Sequence, residues 1–188
     1  IADGLDIFQD VVAYVVLLIS LLLFHAAFTY SFFLKVIGGL NPLTFFQKMK
    51  DVALFAFSTS SSAATIPVTL RTANQDLGVN QNVASFVVPV GATINMDGTA
   101  IMQGLATVFI AQMSGIDLTL FQYVQVVLLA VATSIGTAAV PSAGTITLII
   151  ILQQFNLPLE AIGIILAVDR VLDMIRTSVN VTGDAAIA

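Results

Sequence analysis

The sequence predicts an all-α integral membrane protein, and two observations support this prediction. Of its 188 residues 58% are hydrophobic and 9% are charged, with a mean hydropathy of +1.02. In soluble domains about a quarter of the residues are charged, so a soluble chain could not cover its core with so few. In addition, the apolar residues form helix-length runs that Ser, Gly, Pro, Asn and Asp residues interrupt.

The composition also excludes several classes of function. The chain has no cysteine, which excludes disulfides and thiolate metal sites, and its one histidine leaves little scope for imidazole chemistry. A net charge of −5 is not the basic signature of a nucleic-acid-binding protein. The chain starts at Ile1 without a positively charged leader and stops at Ala188, so we expect a fragment of a longer membrane protein.

Residues 1–40 form the first predicted segment, a transmembrane helix. Residues 11–34 are almost continuously apolar, which is long enough to cross about 30 Å of hydrocarbon. His25 lies in the middle of this span, where a hydrogen bond to a neighbouring helix is the simpler interpretation and a proton relay the alternative.

Residues 41–76 form the second segment, a predicted re-entrant hairpin. Residues 43–57 are too short to cross a membrane, and they run into the polar stretch 58–62 and a second apolar run that contains Pro67. Because Ser and Pro compete with helical backbone bonding, this pattern predicts two half-helices that meet at a polar tip. A plain loop is the alternative for the serines, and residues 71–82 are expected to form a polar loop.

Residues 77–115 form the third segment, a predicted transmembrane helix with a broken middle. Residues 86–94 and 100–113 are apolar, and the motif Asn-Met-Asp-Gly-Thr at 95–99 separates them. An ordinary turn between two spans is the alternative, but each half is marginal as a span of its own.

Residues 116–157 form the fourth segment, a second predicted re-entrant hairpin. Small residues and a proline interrupt it at 136–144, where a flexible loop or a mobile gate would fit. Ser-Ala-Ala-Thr-Ile-Pro at 62–67 resembles Gly-Thr-Ala-Ala-Val-Pro at 136–141. Paired interruptions of this kind indicate a transporter built from inverted repeats, with irregular backbone lining a cavity.

Residues 158–188 form the last segment, a transmembrane helix with a polar stripe. Spacings of 4, 3, 4 and 4 put five polar residues within about 80° of one helix face. A charge inside a bilayer costs about 2.5–3.5 kcal/mol, so such a stripe normally faces a functional cavity. A buried ion-pair ladder is the alternative, but one cation would have to serve three carboxylates. The stripe consists of Asp169, Asp173, Arg176, Asn180 and Asp184.

The distribution of charge predicts an orientation. Cations that flank the first hairpin should lie on the cytoplasmic side, and the second hairpin would then enter from outside. The cations are Lys35, Lys48, Lys50 and Arg71, and the acidic residues expected on the opposite side are Asp3, Asp6, Asp10, Asp117 and Glu160.

The residue types at the breaks indicate a chemistry. Broken helices offer N–H groups to anions and carbonyl groups to cations at mid-membrane depth. Asn95 and Asp97 provide hard oxygen ligands of the kind that Na⁺ prefers to sulfur or imidazole. Arg176 offers a planar fork to a carboxylate, and Asp173, one turn away, could hold an ammonium group. Together they predict a site for an amino acid with an acidic side chain.

Four motifs in this order resemble the dicarboxylate/amino acid:cation symporter family, which contains excitatory amino acid transporters and archaeal sodium–aspartate transporters. They are Ser-Ser-Ser at 60–62, Gly-Ala-Thr-Ile-Asn-Met-Asp-Gly-Thr at 91–99, Val-Pro-Ser-Ala-Gly at 140–144 and the stripe at 169–184. The resemblance covers nearly the whole chain, which corresponds to the C-terminal half of a full family member.

The resemblance implies a substrate site shared by both hairpins, the broken span and the last helix. Ser61 and Asn180 would bind the α-carboxylate, Asp173 the α-amino group and Arg176 the side-chain carboxylate. The full implied set is Thr59 and Val140 through their carbonyl groups, Ser61, Thr99, Gly144, Asp173, Arg176 and Asn180.

The resemblance also implies three sodium sites. The first would use carbonyl groups of Gly91, Asn95 and Asn180 with the carboxylate of Asp184. The second would use carbonyl groups of Thr93, Ser134, Ile135 and Thr137. The third would use Asn95 and Asp97, completed by a helix outside this chain.

The chain departs from the family pattern at four positions. Thr59 and Met174 occupy the two positions where the family usually carries a second arginine. Gln103 stands where proton- and potassium-coupled animal members carry a glutamate, which favours sodium coupling without a proton carrier there. Ala139 replaces a common glycine and would stiffen the gate.

The sequence therefore predicts a sodium-coupled symporter of aspartate or glutamate that works by alternating access in the cell membrane, not an enzyme. A homotrimer would form through an N-terminal scaffold outside this chain, within the lipid bilayer and without nucleic acid. The alternatives are a symporter of neutral amino acids or dicarboxylates, disfavoured by Arg176 and Asp173 respectively, and an ion channel. An intramembrane aspartyl protease is remote, because Val181 occupies the first glycine position of its Gly-x-Gly-Asp signature.

Overall fold

The computed structural model describes residues 4–188, so Asp3 and the start of the first predicted segment lie outside the described residues. Within them the chain is helical and has no β-strand. The helices are α1 (Gly4–Phe24), α2 (Pro42–Thr59), α3 (Ser62–Thr72), α4 (Gln81–Ile94), α5 (Asp97–Met113), α6 (Leu120–Ile135), α7 (Ala143–Gln154) and α8 (Ile162–Ile187).

The first helix continues beyond α1 through π-helical turns at His25–Tyr30 and Phe33–Ile37. The continuous helix Ile7–Ile37 has 31 residues and, among the described residues, it alone is long and apolar enough to cross a membrane. Large apolar side chains such as Phe24 and Phe28 are exposed on its outer side.

The α2–α3 pair turns sharply at two serines. Asn41 caps α2 by accepting a hydrogen bond from the Leu43 N–H at 2.9 Å. Ser60 ends α2 in a left-handed conformation with φ 50°. Ser61 begins α3 by accepting the Ala64 N–H at 3.2 Å. These caps explain why the helix stops and restarts within two residues.

The predicted polar loop at 71–82 is wrong in part. Helix α3 runs to Thr72 and a π-helical turn follows at Ala73–Leu77, before Gly78 adopts φ 78°. Side chains one turn apart support this extension, because Arg71 Nε donates to Gln75 Oε1 at 3.2 Å.

Helix α8 lies at the centre of the fold and contacts α1, α2, α4 and α5. The whole polar stripe is buried, with none of its five residues more than 4% exposed. Because unpaired buried charges are costly, the surrounding helices must supply partners to this stripe. The partners come from the break between α4 and α5 and from the turn between α6 and α7.

Candidate functional site

The turns of the two helix pairs meet above the polar stripe of α8. Ser61 Oγ donates a hydrogen bond to the Ala139 carbonyl at 2.8 Å, and the Ala63 N–H donates to the same oxygen at 3.3 Å. One carbonyl of the α6–α7 turn therefore holds the tip of the α2–α3 turn.

A small cavity lies between these turns, α5 and α8. Its volume is about 20 Å³, enough for roughly one or two water molecules. Anything larger requires the walls to move apart. The cavity is lined by Ser60, Ser62, Met96, Thr99, Thr137, Ala138, Ala139, Val140, Gly144, Asp173, Arg176, Thr177 and Asn180.

A buried charge cluster forms the floor of this cavity. Arg176 Nη2 donates to Asp173 Oδ1 at 2.5 Å, and Arg176 Nη1 lies 3.5 Å from Asp169 Oδ1. The Ser142 N–H, just before α7, donates to Asp173 Oδ2 at 2.9 Å. Asp173 therefore links α8 to the α6–α7 turn. Within residues 4–188, Arg176 Nη1 makes no hydrogen bond, so the guanidinium keeps an unused donor.

Asn180 and two glycines bring α5 close to this cluster. The Gly98 N–H donates to Asn180 Oδ1 at 2.8 Å. A Cβ atom on Gly98 would lie 2.9 Å from Arg176 Cγ, and one on Gly144 would lie 2.8 Å from the Thr99 methyl group. Both positions therefore need glycine, because any side chain would separate the walls of the cavity.

A second group of oxygens surrounds the break between α4 and α5. Asn95 Nδ2 donates to the Asn180 carbonyl at 3.2 Å and to Asp184 Oδ1 at 2.9 Å. A Cβ atom on Gly91 would lie 2.7 Å from Asp184 Oδ1. All four residues assigned to the first sodium site are thus brought together.

The residues expected at the second and third sodium sites lie farther apart in the fold than those of the first. Ser134 and Ile135 end α6, and the Thr137 N–H donates to the Ser134 carbonyl at 3.1 Å. Thr93 is exposed near the end of α4, which contacts α6. Asp97 begins α5 and receives contacts from His25 and Tyr30 of the first helix.

The sequence matches the family model described as the sodium:dicarboxylate symporter family over residues 1–188. The chain belongs to this family. It is 42% identical to an excitatory amino acid transporter of Caenorhabditis elegans over 185 residues, which are 98% of this chain and 37% of that protein. It is 43% identical to excitatory amino acid transporter 3 of Mus musculus, over 96% of this chain and 34% of that protein.

A third relative is excitatory amino acid transporter 2 of Homo sapiens, which is 45% identical over 92% of this chain and 30% of that protein. The chain thus spans about a third of the length of these relatives. The family resemblance and the membrane location are confirmed. Members of the symporter family are transporters rather than enzymes, which rules out the protease alternative.

Six of the eight substrate residues expected from the symporter family line the cavity, and Thr59 and Ser61 stand at the adjoining tip. Sequence reasoning missed Met96 and Thr177 as lining residues, although each directly follows a residue that it had placed in a site. Ser60 and Ser62 also line the cavity, and the sequence predicts that the serine run at 60–62 offers hydroxyl and N–H groups to a carboxylate.

Gln103 has structural contacts that the sequence did not predict. It is fully buried, and its Nε2 donates to the Gly144 carbonyl at 3.0 Å and to Thr147 Oγ1 at 2.8 Å. Thr133 Oγ1 donates to its Oε1 at 2.8 Å. Gln103 therefore ties α5 to both helices of the α6–α7 pair.

Proposed function

We propose that this chain is the transport part of a sodium-coupled symporter of aspartate or glutamate in the cell membrane. The observation that supports the proposal best is the buried Arg176–Asp173 pair where the two turns meet. A cation and an anion side by side match a ligand that itself carries an ammonium group and carboxylates.

In this proposal, contacts between protein groups break when the substrate binds, and contacts to the substrate replace them. Asp173 turns from Arg176 and the Ser142 N–H to the substrate ammonium group, while Arg176 turns to the side-chain carboxylate. Asp169 stays beside Arg176 and balances its charge. Ser61 and Asn180 bind the α-carboxylate, Thr59 and Val140 contribute carbonyl groups, and Thr99 and Gly144 complete the wall.

The proposed architecture is an inverted repeat with two re-entrant hairpins, at 41–76 and 116–157. The α6–α7 turn is the gate, because it contributes Ser142 to Asp173 and Ala139 to Ser61. Alternating access then needs two motions. The gate opens on one side of the membrane, and the whole transport part moves between the two sides.

The proposed cargo includes sodium ions at three sites. Helix ends supply the carbonyl oxygens, which carry the negative end of the helix dipole and suit cations. Asp184 at the first site and Asp97 at the third supply the carboxylates. Carbonyl groups of Thr93, Ser134, Ile135 and Thr137 form the second. We further propose a homotrimer in the bilayer, formed through segments outside this chain.

The proposal is tested by uptake of labelled aspartate into liposomes that contain the full-length transporter. Uptake should require an inward sodium gradient, fail with potassium, and be blocked by glutamate but not by serine or succinate. Block by serine would move the substrate to the neutral class, as the threonine at 59 and the methionine at 174 would allow. Flux that does not saturate with aspartate would indicate a channel.

Arg176→Ala is the sharpest variant, with Arg170→Ala as its matched control. Arg170 lies on the same helix but is exposed, whereas Arg176 is 2% exposed. We expect Arg176→Ala to weaken aspartate binding by about a hundredfold or more, since breaking a buried pair costs about 3–5 kcal/mol. Arg170→Ala should stay within about twofold, as surface substitutions usually do. An Arg176→Ala protein that still prefers aspartate to serine contradicts the assigned role.

A further inference from the structure

The π-helical turn of the first helix places two polar aromatic side chains together. His25 and Tyr30 are the first and last residues of this turn. Hydrogen bonding between residues five apart brings such positions onto one side of the helix. The two rings pack edge to face, with centroids 4.9 Å apart and an interplanar angle of 75°.

Both side chains contact the same oxygen of Asp97. His25 Nε2 lies 3.0 Å from Asp97 Oδ2, and the Tyr30 hydroxyl donates to Oδ2 at 3.3 Å. In the described part of the chain no hydrogen bond reaches Oδ1, and the Asp97 side chain is 37% exposed. One oxygen is therefore fixed, while the other is left for a ligand.

The Tyr30 hydroxyl has one proton and two acceptors within reach. The second acceptor is the Val179 carbonyl of α8, at 3.2 Å. Tyr30 is 3% exposed, so its donor would be costly to leave unpaired. Through these two contacts the hydroxyl joins Asp97 of α5 to α8.

A glycine keeps the first helix close to the Asn95 break. A Cβ atom on Gly183 would lie 2.6 Å from both the Tyr30 hydroxyl and Asn95 Nδ2. These two atoms are therefore at most about 5 Å apart. The Tyr30 hydroxyl is therefore close to the Asn95 amide group, which donates a hydrogen bond to Asp184.

We infer that Tyr30 is a positioning residue for the cation carboxylate of Asp97, fixing Oδ2 so that Oδ1 is presented to sodium. This inference rests on the proposed function, in which Asp97 is a sodium ligand. According to this inference, the first helix also influences sodium affinity, through Tyr30.

The test is a sodium titration of aspartate binding to the purified full-length transporter. Tyr30→Phe keeps the buried ring and removes only the hydroxyl. We expect it to raise the half-saturating sodium concentration about three- to tenfold, the effect of losing one ordinary hydrogen bond, because the bond to Asp97 is long and the hydroxyl has a second acceptor. Aspartate affinity at saturating sodium should be unchanged.

The matched control is Tyr14→Phe on the same helix. Tyr14 is also buried, at 2% exposure, but its hydroxyl has no hydrogen-bond partner among the described residues. We expect Tyr14→Phe to change the half-saturating sodium concentration by less than about twofold. His25→Phe, which removes the other contact to Oδ2, is a second variant that should shift the titration in the same direction if Tyr30→Phe fails to fold.

A double-mutant cycle with Asp97→Asn shows whether Tyr30 acts through Asp97. On the Asp97→Asn background, Tyr30→Phe should change the sodium titration by less than about twofold. An equal effect on both backgrounds, a shift no larger than that of Tyr14→Phe, or tighter sodium binding by Tyr30→Phe would each overturn the inference. If the unmodified protein binds aspartate without sodium, the proposed function fails instead, and the inference with it.

Discussion

The two turns that enclose the cavity are built in different ways. The α2–α3 turn has two residues, Ser60 and Ser61, and the Ser61 cap fixes the start of α3. The α6–α7 turn has seven residues, 136–142, and Ser142 has φ 59° without capping α7 through its side chain. The cap of the first turn lies within the turn itself, whereas the second turn has short backbone bonds and is joined to distant elements through the bonds to Ser61 and Asp173.

This difference favours the α6–α7 turn as the proposed gate. A short capped turn opens only when a helix end unfolds, but a longer turn held by distant side chains opens when those contacts break. Small residues at 136, 138 and 139 give the α6–α7 turn little side-chain surface of its own. Substitutions in the two turns should therefore have different consequences.

Among substitutions in and beside the two turns, the largest effect is expected at Gly144, which follows the second turn in α7 and packs against α5. Gly144→Ala would put a methyl group 2.8 Å from the Thr99 methyl and 3.3 Å from Met102 Cε. Overpacking of this kind costs about 1–3 kcal/mol, so we expect aspartate affinity to fall about ten- to hundredfold. Isothermal titration of the full-length variant with aspartate measures this loss of affinity.

Gly136→Ala is the control for this variant within the same turn. A Cβ atom there meets only the Thr133 carbonyl, at 3.7 Å, and φ is −85°, which any residue adopts. We expect the aspartate affinity of Gly136→Ala not to fall, and to rise by up to about fivefold, because alanine reduces the freedom of the open turn. Equal losses at both glycines would show that closure of the turn on Thr99 is not the cause.

An intermediate effect is expected at Ser61, which belongs to the first turn but also holds the second. Ser61→Ala removes the cap on the Ala64 N–H and the bond to the Ala139 carbonyl. Loss of the cap alone costs about 1 kcal/mol of stability, and we expect about a tenfold loss of aspartate affinity in addition to a lower melting temperature.

Ser58→Ala provides the comparison for Ser61. Ser58 is exposed, and its hydroxyl bonds only to the Leu54 carbonyl of its own helix. The melting temperature and the aspartate affinity of Ser58→Ala should both stay near those of the unmodified protein. If Ser61→Ala behaved in the same way, the first turn would not need the cap.

The smallest effect is expected from Ala139→Gly in the second turn. Glycine increases the freedom of the open turn by about 0.5–1 kcal/mol, so closure becomes harder and aspartate affinity should fall about two- to fivefold. Ala138→Gly should have the same effect, because the cause is the entropy of the turn and not a particular contact. Tighter binding by either variant would contradict this account.

Local pattern predicted much of the fold and of the candidate site. The spacing on α8 predicted a buried stripe, and the motif at 95–99 predicted the break, because both features depend on residues close in sequence. The contact between Tyr30 and Asp97 was not predictable in this way, because the two residues are 67 apart in sequence and Tyr30 lies in a π-helical turn. Gly98 and Gly144 raise the same difficulty, because a close approach becomes visible only when the neighbouring helix is in place.

The expected loop at 71–82 shows the opposite error. Its polar composition indicated irregular structure, yet Arg71 and Gln75 pair along a helix and Lys48 Nζ donates to the Asp76 carbonyl at 2.6 Å. Polar residues on an exposed helix end resemble a loop in sequence, because solvent and not packing satisfies them.

Asn180 has a consequence for coupling. Its side chain bonds to Gly98 at the wall of the cavity, while its carbonyl bonds to Asn95 beside Asp184. One residue of α8 thus belongs to both the proposed substrate site and the first proposed sodium site. In a symporter of the proposed kind, linkage requires that sodium changes aspartate affinity by the same factor as aspartate changes sodium affinity. Because Asn180 contacts both proposed sites, the coupling between them could pass through one residue.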